Sequence, residues 1–335
     1  MAGPKPQCGS EKQDEGYDLG LHVLGLFLVL IFSILGCGFP VAAKKIKWMK
    51  IPPKIFFACK HFGTGVLIAT AFVHLLPTAF ESLGDPCLPD LFTEKYPPLP
   101  GVIMMASMFC LFVIEMVLNA KTGGHSHGGP TGTDIVVNDK ASEMTSSTAP
   151  TPDAPAQEGM FRDEEDKEIS PAEFKKMSTN ISLLEGGILF HSIFVGMTVS
   201  ITVDGFVVLL IAILFHQMFE GLGLGSRIAA VPYPKKSIRP WLLVLAFGTT
   251  APIGQAIGLV SRNSYDEKSA LGLIIVGVFN AISSGLLLYA ALVDLLAEDF
   301  LSDEANHLMN GKKKAIAFCW VLFGAAGMSV VGIFA

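Results

Sequence analysis

The sequence predicts an all-α, polytopic membrane protein with eight transmembrane helices. Of its 335 residues, 51% are hydrophobic and only 16% are charged, and the mean hydropathy is +0.52. The apolar residues are gathered in runs of roughly 20, the length that an α-helix needs to cross a bilayer. Because open sheets leave backbone groups unsatisfied in lipid, helices are expected for all of these runs. The composition argues against soluble domains, and no nucleic-acid partner is expected.

Eight apolar runs are candidate transmembrane spans. They cover residues 21–42, 55–80, 102–120, 183–203, 206–229, 241–260, 271–297 and 315–334. The predicted organisation is a segment of residues 1–20, helices one to three in 21–120, a loop in 121–181, and helices four to eight in 182–335. The last part carries the residues that point to a function.

The segment 121–181 differs from the rest of the chain. It is rich in Gly, Ser, Thr and Pro at first and then holds the acidic run 163–166. Little of it could contribute to a core, so we expect a disordered loop. Near its end, Ser170 followed by Pro171 is a typical start of a short helix, because Pro is favoured at the first helical position.

The distribution of basic residues predicts the orientation. They crowd the first, fifth and seventh loops, which contain Lys44, Lys45, Lys47, Lys50 and Lys54, then Arg227, Lys235, Lys236 and Arg239, then Lys312, Lys313 and Lys314. Cytosolic loops carry an excess of Lys and Arg. The odd-numbered loops, including 121–181, should therefore be cytosolic, and both termini, including residues 1–20, should be extracellular.

Two cysteines fall in segments predicted to be extracellular. Cys8 precedes the first span and Cys87 follows the second. Disulfides persist outside the cell, so a bridge between the two is compatible with their location. Two free thiols, or a weak capture site for metal, remain alternatives.

Three ionisable residues on consecutive spans predict a metal site. His216 and Glu220 are four residues apart and share one helix face, and His191 lies on the preceding span. The spans are joined at the tight turn 204–205, about thirteen residues after His191 and eleven before His216, so the two histidines should lie at similar, mid-membrane depth. Ionisable groups at this depth usually mark an ion or substrate path, and imidazole with carboxylate suits a divalent transition metal.

The sequence around these residues resembles the ZIP (Zrt/Irt-like) family of divalent-metal transporters, in its fungal and plant branch. The strings HSIFVGMTVS (191–200) and HQMFEGLGLGSRIA (216–229) are similar to the family's fourth and fifth helix signatures, and the likeness extends to residues 71–77, 280–285 and 291–296. The resemblance implies that His191, His216 and Glu220 are the main metal ligands. It also implies an eight-helix ZIP bundle in which helices one, four, five and six move as a unit against the others.

The resemblance also suggests further site residues. Ser192 and Gln217 stand where some members have a second set of ligands, and Val195 stands where those members have a bridging Glu. Valine cannot bind metal, so one strong site with at most a weak neighbour is expected. His74 resembles the family's second-helix histidine and is expected to be a secondary ligand or a gate, with simple packing as the alternative. His125 and His127 resemble a short form of the family's loop tract.

These observations predict a plasma-membrane importer of Zn²⁺, or of Fe²⁺ or Mn²⁺, that works by alternating access. The metal is its substrate, and no cofactor is expected. A membrane-embedded zinc hydrolase is the alternative, but the spans lack a spare carboxylate at the same depth to activate water. A metal-sensing receptor is a weaker option. The sequence is compatible with a homodimer and does not require one.

Overall fold

The chain folds into a bundle of long apolar helices. The computed structural model describes residues 5–9, 17–46, 52–121, 161–162, 168–234, 236–262, 268–302, 305–306 and 309–334. Within these ranges, eight helices are long and apolar enough to cross a membrane, which confirms the predicted fold class. They are α1 Leu19–Lys45, α2 Pro53–Leu83, α3 Leu99–Lys121, α4 Pro171–Ile201, α5 Phe206–Ala230, α6 Arg239–Ser261, α7 Ala270–Leu301 and α8 Gly311–Val331.

Capping residues determine where several helices begin. The side chains of Asp18, Ser269 and Asn310 accept hydrogen bonds from the first turns of α1, α7 and α8, where backbone N–H groups have no partner within the helix. Helix α4 begins at Pro171 and runs without a break into the fourth span. The short helix expected at the end of the loop is therefore the first part of α4, which begins twelve residues before the span predicted from hydropathy.

Before α4, the two-residue strands β1 (Phe161–Arg162) and β2 (Glu168–Ile169) pair in antiparallel fashion. This pair is small beside the helices and leaves the all-α class unchanged. The remainder of the predicted loop, including His125 and His127, lies outside the described residues.

Two of the long helices contain a π-helical segment. In α2 it covers Thr70–Leu75 and in α7 it covers Ala290–Ala297. The segment in α2 precedes Pro77, which has no N–H to donate to the carbonyl four residues earlier, so the local hydrogen-bond register must change. π-Helical turns are frequently found at functional sites. A third, short π-helical turn, Leu91–Lys95, lies between α2 and α3.

The helices pack as two groups. In the first group, α1 packs on α5 and α6, and α4 packs on α6; in the second group, α2 packs on α7 and α8, and α3 packs on α7. The main contacts between the groups are made by α2 with α5 and by α4 with α7. This division matches the one implied by the family resemblance. The outer faces are apolar, with Leu35, Phe109 and Phe323 more than 60% exposed, as expected of surfaces in lipid.

The two ends of the bundle differ in chemistry. At one end, called here the disulfide end, α2 and α4 terminate and a disulfide joins Cys8 to Cys87. Beside it, a hydrogen bond and the positive charge of Lys5 hold the pKa of the exposed Asp90 carboxyl below its usual range. At the opposite, lysine-rich end, Lys44 and Lys45 of α1 donate to the backbone carbonyls of Ala229 and Ser237.

Candidate metal centre

Three side chains from α4 and α5 converge in the middle of the bundle. His191 Nε2 lies 3.4 Å from His216 Nε2, and His216 Nε2 lies 3.4 Å from Glu220 Oε2. One potential ligand atom from each residue lies within 4.8 Å of the other two. Since α4 and α5 are joined by a turn in which Gly205 adopts a positive φ of 69°, they are antiparallel neighbours, and the two histidines reach the same depth as predicted.

The polar atoms of this cluster are buried and incompletely paired. His191, His216 and Glu220 are each at most 1% exposed. Among the described residues, Nδ1 of both histidines and both carboxylate oxygens of Glu220 have no hydrogen-bond partner. Buried polar groups are normally satisfied, so such orphaned atoms call for an explanation. Two nitrogen donors and a carboxylate at these distances are a suitable ligand set for a divalent transition metal.

His74 brings a third imidazole to the cluster from the other helix group. It lies in the π-helical segment of α2, and its ring centroid is 6.1 Å from that of His191 and 5.7 Å from that of His216. Thr70, one turn earlier, is fully buried, and its hydroxyl interacts with the Glu220 carboxylate. Sequence reasoning missed Thr70, because a threonine in an apolar run carries no periodic signal.

A cavity of about 70 Å³ extends from His74 toward the disulfide end, with room for about two water molecules. It is lined from both helix groups by His74, Thr78, Phe194, Val195, Thr198, Val199, Leu209, Ile213, Val276 and Asn280. The cavity lies between the cluster and the end at which α5 and α7 begin. It therefore places the cluster at the inner end of a passage between the two groups.

Ser192 and Gln217 are fully buried beside the cluster, but their donors are engaged elsewhere. The Ser192 hydroxyl donates to the Ile188 carbonyl at 2.9 Å, and the Gln217 amide donates to Ser33 Oγ of α1 at 3.1 Å. Gln217 Oε1 has no described partner. Val195, one turn after His191, contributes only apolar surface to the cavity.

The expectation for Arg227 was wrong. It was counted among the cations of the fifth loop, although the predicted span 206–229 includes it. It lies inside α5, is 7% exposed and pairs with Asp299 of α7. The ion pair with Asp299 offsets the cost of burying the Arg227 guanidinium, and no pattern within α5 reveals that partner on α7. Glu185 of α4 is also buried with one oxygen unpaired, and it lies outside the three-residue metal cluster.

Comparison with known proteins agrees with this architecture. Residues 19–332 match the family described as ZIP Zinc transporter. The chain is 35% identical to Zinc-regulated transporter 2 of Saccharomyces cerevisiae, over 93% of this chain and 94% of the relative. It is 32% identical to Zinc transporter 9 of Oryza sativa subsp. japonica, over 98% and 94%, and 30% identical to Fe(2+) transport protein 1 of Arabidopsis thaliana, over 97% and 90%. The chain therefore belongs to the ZIP family, which is a family of metal transporters and not of enzymes.

Proposed function

We propose that this protein imports divalent metal ions, above all Zn²⁺, into the cytosol through the site formed by His191, His216 and Glu220. The observation that carries the proposal is the set of buried, unpaired donor atoms in this cluster. A dication would neutralise the Glu220 carboxylate and occupy the ligand positions that the protein leaves open. The names of the relatives, which include zinc and Fe(2+) transporters, support the same class of substrate.

Transport proceeds by alternating access between the two helix groups. The cation enters the cavity from the disulfide end and exchanges water for imidazole and carboxylate ligands. The three main ligands belong to the first group, whereas His74 belongs to the second. A relative displacement of the groups therefore removes His74 from the ion and leaves the main ligand set intact. We assign His74 as a secondary ligand that closes the outer side of the site.

The donor chemistry defines the range of substrates. Imidazole with a carboxylate suits Zn²⁺ and Fe²⁺ and admits Mn²⁺, whereas Ca²⁺ prefers an all-oxygen shell. The metal is cargo, so the protein needs no cofactor. Because Lys and Arg concentrate on the cytosolic side of membrane proteins, we place the lysine-rich end and residues 121–181 in the cytosol and residues 1–20 outside. We assign the protein to the plasma membrane.

Zinc uptake by the His216→Ala variant tests the site. Uptake of radioactive zinc should fall at least about tenfold, because loss of a bond worth more than about 1.4 kcal/mol already weakens binding by that factor. Phe215→Ala is the matched control, since Phe215 precedes His216 on α5 but is 45% exposed on the outer face, and it should transport normally. Normal uptake by His216→Ala at equal surface expression would refute the assignment.

A further inference from the structure

A buried ionic cluster connects the two helix groups at the lysine-rich end. Arg227 Nη1 donates to Asp299 Oδ1 at 3.3 Å, Nη2 pairs with Asp299 Oδ2, and Nη2 also donates to Thr64 Oγ1 at 2.7 Å. Arg227 belongs to α5 of the first group, whereas Asp299 and Thr64 belong to α7 and α2 of the second. Arg227 and Asp299 are each only 7% exposed.

The cluster lies between the metal centre and the lysine-rich end of the bundle. Arg227 follows Glu220 by seven residues, two helical turns, so it occupies the same face of α5 about 10 Å closer to the lysine-rich end. The cavity that reaches the metal centre extends in the opposite direction. A cation that leaves the centre along this face of α5 would pass a guanidinium that is held in place from the other group.

The charges in the cluster are distributed unequally between the groups. Asp299 has a second cation, Lys60 Nζ at 2.9 Å, and His61 Nδ1 lies 3.6 Å away; both belong to α2, in the same group as Asp299. For Arg227, Asp299 is the only carboxylate partner within the described residues. If the groups separate, Asp299 keeps a counter-ion, whereas Arg227 must be solvated by water.

We propose that the Arg227–Asp299 pair is the cytosolic gate of the transporter, closed in this structure and broken each time metal is released. The inference rests on the proposed transport function and assigns roles to residues outside the metal centre. The cluster is not itself a second cation site, because two fixed positive charges already surround the single carboxylate. These charges instead repel a dication while the gate is closed.

Removing Asp299 should favour the open gate. In Asp299→Asn, the closed state buries the Arg227 guanidinium without a counter-charge, which is strongly unfavourable, whereas the open state exposes it to water. Lys60→Met is the matched control, because it removes a charge from the same cluster but leaves the pair between the groups intact. Arg227→Met also breaks that pair and leaves Asp299 with Lys60, so it should open the gate as well.

A reporter cysteine at Leu224 can detect the opening. Leu224 is fully buried one turn after Glu220, in a core cluster that contains residues of both groups. The free cysteines Cys37, Cys59, Cys110 and Cys319 are first replaced by alanine. A membrane-impermeant maleimide is then applied to intact and to permeabilised cells, and the difference measures access from the cytosol. Labelling of Leu224→Cys should rise at least about tenfold with Asp299→Asn or Arg227→Met and stay unchanged with Lys60→Met.

A second reporter separates gating from general loosening. Val29 is fully buried in a core cluster formed only by first-group helices, so Val29→Cys should stay protected in every variant. Reaction at both positions would show that the pair is a structural brace and would overturn the proposal, as would protection of Leu224→Cys in both gate variants. The labelling does not depend on uptake, so a failure of the zinc assay with His216→Ala leaves this result readable on its own.

Discussion

At the scale of single residues, the candidate metal centre contains a buried carboxylate, Glu220, whose charge is not fully compensated within the described residues. A buried carboxylate without a full counter-charge costs on the order of several kcal/mol. Glu220 is fully buried, its nearest described ion-pair partner is His216 Nε2 at 3.4 Å, and neither of its oxygens makes a well-formed hydrogen bond among the described residues. By contrast, the buried Asp299 is surrounded by Arg227, Lys60 and His61. The protein can therefore neutralise a buried acid where it needs to. Glu220 has only a histidine beside it, which leaves its charge available to a cation at the proposed site.

Val195→Glu should create a second ion position. Val195 lies one turn after His191 and lines the cavity, so a carboxylate there would face the metal centre and could bridge two ions. Each chain of the purified Val195→Glu variant should bind about one zinc ion more than the parent does. The variant should also release zinc more slowly. Zinc content is measured with His125 and His127 replaced by alanine, which removes metal bound by the loop.

Val195→Gln is the control for this experiment, because it has the size and polarity of glutamate without the charge. It should bind no additional ion. If the parent protein already held two tightly bound ions among these helices, the argument would be contradicted. Val195 would then not limit the site to a single ion.

Spacing along the sequence was enough to predict which side chains converge at the candidate site. The four-residue spacing of His216 and Glu220 and the short turn before α5 place three groups at one depth, and the structure brings them together. Arg227 was missed because a cation near the end of an apolar run looks like a loop residue. Its partner Asp299 is 72 residues away, and no local pattern connects the two.

At the scale of elements, hydropathy located all eight helices to within a few residues at most ends. The main exceptions have physical causes. Helix α4 begins early because Pro171 starts a polar turn that hydropathy does not count, and α8 includes three lysines in its first turn. The π-helical segments were not predicted, since a shift in backbone hydrogen bonding leaves no mark on composition.

The crossing of α2 and α5 depends on two glycines, and this leads to a prediction. A Cβ on Gly63 or on Gly223 would overlap the backbone of the other residue, so the helices approach more closely than any other residue type allows. Gly223→Ala should force α2 and α5 apart, at a cost of about 1–3 kcal/mol. The melting temperature in detergent and the rate of zinc uptake should both fall.

Gly186→Ala is the control for the glycine contact. Gly186 lies in α4, and an added Cβ would meet nothing within 4 Å. This substitution should leave uptake intact and stabilise the helix by up to about 1 kcal/mol. Equal melting temperatures for Gly223→Ala and the parent would show that α2 and α5 can adjust without loss.

At the scale of the whole molecule, the arrangement of the two helix groups could not be derived from hydropathy. Every span is apolar, and in lipid the hydrophobic effect does not favour packing against one particular helix over another. Which helices pack together is determined by small residues that allow close approach and by a few buried polar contacts, such as the one between Arg227 and Asp299. The division into groups was available only from the family resemblance, and the packing agrees with it.

Two independent features of the whole molecule predict the same orientation in the membrane. Lysines concentrate at one end of the bundle, which favours the cytosol, and the Cys8–Cys87 disulfide lies at the other end, which favours an oxidising, extracellular environment. An epitope attached at Ala2 should therefore be stained on intact cells. An epitope inserted beside Ser147 should be stained only after permeabilisation, because the loop between α3 and α4 starts and finishes at the lysine-rich end. The opposite pattern would reverse the orientation, and the cavity at the disulfide end would then face the cytosol and imply export.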